Sequence, residues 1–181
     1  MKTNPLPNPF EWLLGLYTDN FERLQRLVDA RQMVPGRYVN ERQGQPALVL
    51  DLLEQQPYTT LLRLSVRFAE SEPAEDPESY WRVYHDARQA EVTHCRVDAH
   101  RVRLFAPNTP ARLIAQYRRR MNNFANKWLE HLLQGGYAAH AWHLQGPVPE
   151  WDRRLVIAPG AEDEAEERSP RRSARRVASS A

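Results

Sequence analysis

Between Thr109-Pro110 and Gly135-Gly136, apolar residues recur every three or four positions: Leu113, Ile114, Tyr117, Met121, Phe124, Ala125, Trp128, Leu129 and Leu132. That spacing predicts one continuous amphipathic helix. Thr109 supplies an N-cap hydroxyl, Pro110 the first helical position, and the glycine pair a stop. Arg118, Arg119 and Arg120 bracket the stripe. At 1.5 Å per residue the helix would run roughly 37 Å, enough to cross a small sheet. A stripe of that length has to be covered by another layer, and the residues before it supply one.

Upstream, the hydrophobic period is 2. Tyr58, Thr60, Leu62, Leu64, Val66 and Phe68 alternate with Thr59, Leu61, Arg63, Ser65 and Arg67, which predicts a strand with one buried face. Gly36–Glu41 and Ala47–Glu54 read as strands before it, and Ser79–Asp86, Gln89–Val97 and His100–Phe105 as strands after it. The acidic, proline-containing stretch Glu70–Glu78 reads as a loop. These connections are too short for parallel crossovers, so the sheet is expected to be antiparallel. Near the N-terminus, Phe10, Leu13, Leu14 and Tyr17, then Phe21, Leu24, Leu27 and Val28, are helically spaced. Thr18-Asp19-Asn20 offers caps between the two sets. The fold class expected is α+β: two short N-terminal helices, an antiparallel sheet of five or six strands, and one long C-terminal helix packed across it.

Composition sets the outer limits. The 181 residues are 41% hydrophobic and 27% charged with net charge +2, which suits one globular domain. Residues 1–9 read as an irregular arm, 10–146 as the domain, 147–158 as a segment docked on it, and 159–181 as a disordered charged tail. Truncation after Ala158 is expected to leave stability unchanged. The single cysteine, Cys95, excludes an internal disulfide framework. No apolar run is long enough to span a membrane, and the first residues do not read as a signal peptide, so the expected location is the cytoplasm.

The densest run of reactive side chains is Tyr80–Cys95. A turn at Ala87-Arg88 would bring His85, Asp86 and Glu91 to one hairpin end. Imidazole and carboxylates there suit general acid–base chemistry or a divalent ion. In that reading His85 is base or ligand, Asp86 orients it, Glu91 is the second acid–base group, and Arg82 or Arg88 holds an anion, with Tyr84 beside them. The plainer reading has Asp86 capping the turn while Tyr84 and His85 make cross-strand pairs. Neighbouring strand residues face apart, and no metal-ligand spacing is present, so neither a metal nor a cofactor is expected. Cys95 reads as a small buried residue rather than a nucleophile. Phosphate-loop, nucleophile-elbow and dinucleotide fingerprints are missing.

All basic residues except Lys2 and Lys127 are arginine. Nucleic-acid contact is expected, if anywhere, only through the tail residues Arg168, Arg171, Arg172, Arg175 and Arg176, and the acids Glu162–Glu167 offset these. Trp81 and Trp128 read as core. Trp142 and Trp151 either fold back on the domain or expose an aromatic surface, and folding back is the expectation.

Asp19-Asn20-Phe21-Glu22-Arg23-Leu24, Tyr58-Thr59-Thr60-Leu61, Val83-Tyr84-His85-Asp86-Ala87, Ala90-Glu91-Val92, Asn122-Asn123-Phe124, Trp128-Leu129 and Leu133-Gln134-Gly135-Gly136 together resemble the YqiB-like family of uncharacterised proteobacterial proteins. The resemblance covers roughly residues 10–140. It implies no particular activity, but it adds weight to His85, Asp86 and Glu91. The function expected is a non-catalytic binding or interaction module with an unknown protein or small-molecule partner. The alternative is a small hydrolase or lyase acting on a nucleotide-like or other anionic substrate through His85, Asp86 and Glu91.

Overall fold

The computed structural model describes residues 8–68, 75–96 and 108–150. Its elements are α1 (Pro9–Leu27), β1 (Gly36–Asn40), β2 (Ala47–Gln55), β3 (Thr59–Arg67), β4 (Glu75–Tyr84), β5 (Gln89–Arg96), α2 (Ala111–Gln134), a short 3-10 turn (Ala139–Ala141) and β6 (His143–Gly146). The class is α+β. The strands form one six-stranded sheet in the order β5-β4-β3-β2-β1-β6, and each pairing is antiparallel.

The N-terminal region departs from the expected pair of helices, because α1 is continuous through Thr18-Asp19-Asn20. Asn8 provides the cap instead, accepting from the Phe10 amide at 2.9 Å. Neither polar side chain interrupts the helix. Thr18 Oγ1 donates back to the Leu14 carbonyl at 3.2 Å, and Asn20, fully buried, spends its amide on α2. The helix ends at Leu27, where Val28 turns extended. In α2 the cap position falls on Pro110, without a side-chain hydrogen bond.

Strand β4 begins earlier than the acidic prolines suggested. The register slips between Ser65↔Glu78 and Arg67↔Glu75, which places Asp76-Pro77 in a bulge, a position in a strand that tolerates proline. The sixth strand is β6, which pairs with β1. The expected strand His100–Phe105 lies outside the described residues, as do residues 1–7 of the arm, 70–74 of the acidic loop, Trp151 and the tail with its arginines.

One face of the sheet carries Tyr38, Leu48, Leu50, Leu52, Leu62, Leu64, Trp81, Val83 and Val92 into a core with α1 and α2. On the other face, Arg37 grips Asp51 through two hydrogen bonds of 2.7 and 2.9 Å. Arg63 bonds the same carboxylate and reaches Glu78 at 3.3 Å, linking four strands. The helices run in the same direction, since Trp12 meets Arg119, Asn20 meets Asn122, and Arg23 meets Glu130. The β1–β2 hairpin caps the C-terminal end of α2. Gln45 donates to the Gly135 carbonyl at 3.2 Å and Arg42 donates to that of Gly136, whose φ of 82° favours glycine. Trp142 folds back as expected, donating from Nε1 to the Leu27 carbonyl at 2.7 Å. No helix among the described residues is long and apolar enough to cross a membrane.

Candidate ligand site

The β4–β5 hairpin turns through His85–Arg88, with Tyr84 opposite Gln89. Arg88 closes the turn at φ 52°, the left-handed region that costs a side-chain-bearing residue energy, and its guanidinium lies 5.4 Å above the Phe21 ring. Strand alternation then divides the hairpin. Val83 and His85 face the α1 side, while Arg82, Tyr84 and Glu91 face the other way.

On the α1 side, the His85 backbone amide donates to the Tyr58 carbonyl at 2.9 Å. The ring Nε2 lies 2.8 Å from the hydroxyl of fully buried Thr60. Buried Nδ1 has no hydrogen-bond partner. Burial, followed by the positive charge of Arg31, lowers the imidazole pKa below its ordinary value, with Asp86 and Asp29 opposing. The ring is therefore neutral near pH 7. Outward from it lies a hollow of about 350 Å³ walled by Arg31, Gln55, Gln56, Pro57 and His85. Inward, a crevice of about 10 Å³ between α1 and Val83 is too small for anything beyond a single water molecule. Gln55 Nε2 donates to the Ala30 carbonyl at 2.9 Å, fixing the loop that carries Arg31 against β2.

On the other side Tyr84, Glu91, Arg118 and Asn122 are engaged, while the buried Tyr17 hydroxyl and Asn20 Oδ1 have no hydrogen-bond partner. Tyr84 donates to Glu91 Oε1 at 2.9 Å, and Arg118 of α2 approaches Glu91 Oε2 at 3.6 Å. The buried Tyr17 hydroxyl faces this pair. Burial first, and the Glu91 carboxylate second, push its pKa up to about 12, partly offset by Arg118. Beside them, Asn122 accepts from the Val92 amide at 2.7 Å and donates to the Val92 carbonyl at 3.2 Å, so one side chain acts as a strand partner for the outer edge of β5. Asn20 donates to the same Asn122 oxygen at 3.2 Å.

The structure thus brings Tyr84 and Glu91 together and separates both from His85. Asp86 is exposed in the turn and reaches the imidazole only through its charge. Arg82 lies across from Glu91 and beside Tyr84, and Arg88 is stacked on Phe21; neither lines the hollow. Among the described residues no three His, Cys, Asp or Glu side chains gather into a metal-binding group. Cys95 is buried in the core, and His94 packs edge-on against Tyr80.

Sequence reasoning missed Arg31, Gln55 and Gln56 at the hollow and Tyr17, Asn20, Arg118 and Asn122 at the β5 edge. Nothing local marks Arg31. Asn20 and Asn122, polar residues within otherwise apolar helical stripes, were the one available signal for the second group.

The protein family DUF1249, described as a protein of unknown function, matches residues 23–138, and the chain belongs to this family. Arg31, Gln55, Gln56, His85, Glu91 and Asn122 all fall inside the matched span. No curated protein and no solved structure matches the chain.

Proposed function

We propose that this chain is a YqiB-like, non-catalytic binding module of the cytoplasm, and that it holds a small anion-bearing molecule in the hollow between Arg31 and His85. The observation that carries the reading is the wall of that hollow: one guanidinium, one neutral imidazole and two side-chain amides around about 350 Å³. That volume is within the usual range for small-molecule sites. Arg31 can grip a carboxylate or phosphate through two parallel hydrogen bonds, while Gln55 Oε1 and the Gln56 side-chain amide supply neutral hydrogen-bonding groups that orient it, and His85, with Nε2 held by Thr60 and Nδ1 buried, contributes the face of its ring to the wall. Glu91, engaged by Tyr84 and Arg118, is not positioned to act with His85 on a bound substrate, which favours binding over hydrolysis.

The test is a thermal-shift screen of small carboxylates and phosphates against the full chain and Arg31→Ala. A ligand at about 100 times its Kd adds about 2.7 kcal/mol, which raises the melting temperature by roughly 5–10 °C in a chain of this size. At least one compound is expected to stabilise the native chain and not the variant. A screen without any hit, or hits indifferent to Arg31→Ala, contradicts the proposal.

A further inference from the structure

The exposed side of α2 differs in charge from the rest of the molecule. From Ala111 to Leu129 it carries Arg112, Arg118, Arg119, Arg120 and Lys127 and no Asp or Glu, although the whole chain has net charge only +2. Arg118 is engaged with Glu91 and Lys127 with Glu130 at 3.2 Å, but Arg112, Arg119 and Arg120 are exposed. The first buried residue of the helix is Met121; in the ten residues before it Tyr117 packs against the core while Arg112, Leu113, Arg119 and Arg120 are exposed. At 3.6 residues per turn, Arg112, Arg120 and Lys127 share the face turned away from Met121, Ala125 and Leu132. Phe124, placed by its spacing in the buried stripe, is instead 45% exposed on this outer face, next to Arg120. Trp12 of α1, 40% exposed, lies on the other flank of α2, with the Arg119 guanidinium 5.9 Å above its ring.

We infer that this face of α2 binds a single-stranded nucleic acid, with phosphates on Arg112 and Arg120 and a base stacked on Phe124. Exposed arginines along the helix match a polyanionic backbone, and an exposed ring beside a guanidinium matches an unstacked base. Arg112 to Phe124 spans about 18 Å of helix, so the contact covers several nucleotides. A membrane-surface helix needs its apolar side chains segregated from its basic ones. Here Met121, Ala125, Leu129 and Leu132 of the apolar stripe are buried in the core, and the two large apolar side chains left exposed on α2, Leu113 and Phe124, share their flank with Arg120 instead of forming a separate apolar face. The acidic run Glu162–Glu167 of this chain would neutralise the arginines but offers nothing to stack on the ring.

The test is fluorescence anisotropy of the full chain with labelled oligo-dT and oligo-U of about 20 nucleotides, from about 50 to 200 mM salt. The native chain is expected to bind with an affinity that falls steeply with salt. Arg112→Glu/Arg120→Glu is expected to bind at least about tenfold more weakly and with a shallower salt slope. Phe124→Ala is expected to weaken binding to the single strand more than to a duplex. All these positions are exposed, so melting curves should match the native chain, and Arg112→Gln/Arg120→Gln provides a milder pair should the charge reversal disturb folding. A full-length variant with Arg168, Arg171, Arg172, Arg175 and Arg176 changed to Gln is expected to bind as the native chain does. Absence of binding by the native chain overturns the inference. So does binding lost in the tail variant but kept in Arg112→Glu/Arg120→Glu, or binding to anionic phosphatidylglycerol vesicles without binding to the oligonucleotides.

Discussion

The two sides of the β4–β5 hairpin use similar residues to opposite ends. On the Glu91 side, Tyr84, Glu91, Arg118, Asn122 and the amide nitrogen of Asn20 pair with one another or with the open edge of β5 and fasten the helices to the sheet, while the Tyr17 hydroxyl and Asn20 Oδ1 stay buried without a hydrogen bond. On the His85 side, only Nε2 of the imidazole and one amide of the Gln55-Gln56 pair have protein partners, and Arg31 faces a hollow. A cluster of titratable residues in sequence is therefore not one site. The pleat assigns half of it to structure and leaves the other half accessible.

The contrast is broken most severely at Asn122. Asn122→Ala leaves the buried amide and carbonyl of Val92 and the amide of Asn20 without partners. The expected loss is about 3 kcal/mol, or roughly 6–12 °C in melting temperature, read by calorimetry. Ligand contacts at Arg31 should be unaffected at temperatures where the variant is folded. A variant as stable as the native chain would mean that the β5 edge is satisfied in some other way.

Titration sharpens the difference further. The His85 pKa is lowered in the folded state, so between that value and its ordinary value near 6.5 the unfolded chain binds more protons. Stability from His85 is thus fully present above about pH 6.5 and is lost as the pH falls through the folded pKa. Tyr17 has the opposite sign of dependence. Its pKa is raised to about 12, so its contribution is present below about pH 10 and is lost as the pH rises toward 12. His85→Gln should flatten the acid side of a melting-temperature profile and leave the alkaline side alone, while Tyr17→Phe should do the reverse. Identical profiles for both variants and the native chain would contradict the account.

The smallest effect is expected at the turn itself. Arg88→Gly relieves a left-handed backbone costing about 1–2 kcal/mol but loses a cation–π contact of about 0.5–1 kcal/mol and adds freedom to the unfolded chain. Urea unfolding should show a gain of about 0.5 kcal/mol or less, whereas Arg88→Ala, which keeps the strain and removes the contact, should lose about 0.5–1 kcal/mol. Equal stability of the two variants would show that neither the strain nor the contact matters.

How far the sequence announced this arrangement depends on the range of the forces involved. Strands β2 and β3 and helix α2 were legible because local periodicity records which side of an element is buried. Helix α1 was misread as two because Asn20 looks like a cap locally, and only its partner 102 residues away shows it to be a buried clamp. Strand β6 carries too little apolar pattern in four residues to stand out, and pairing with β1 is what makes it a strand. At the site, His85 and Glu91 were recognisable as reactive types, but Arg31 joins His85 only through the packing of the α1–β1 loop on β2.

The proposed site is tested most directly by following the His85 imidazole by NMR while inorganic phosphate is titrated into the full chain at neutral pH. The account predicts a neutral ring whose resonances shift saturably, because the anion enters the hollow beside Arg31. The shift should vanish in Arg31→Ala and persist in Glu91→Gln. Resonances that stay fixed through the titration, or that move equally in Arg31→Ala, would contradict it.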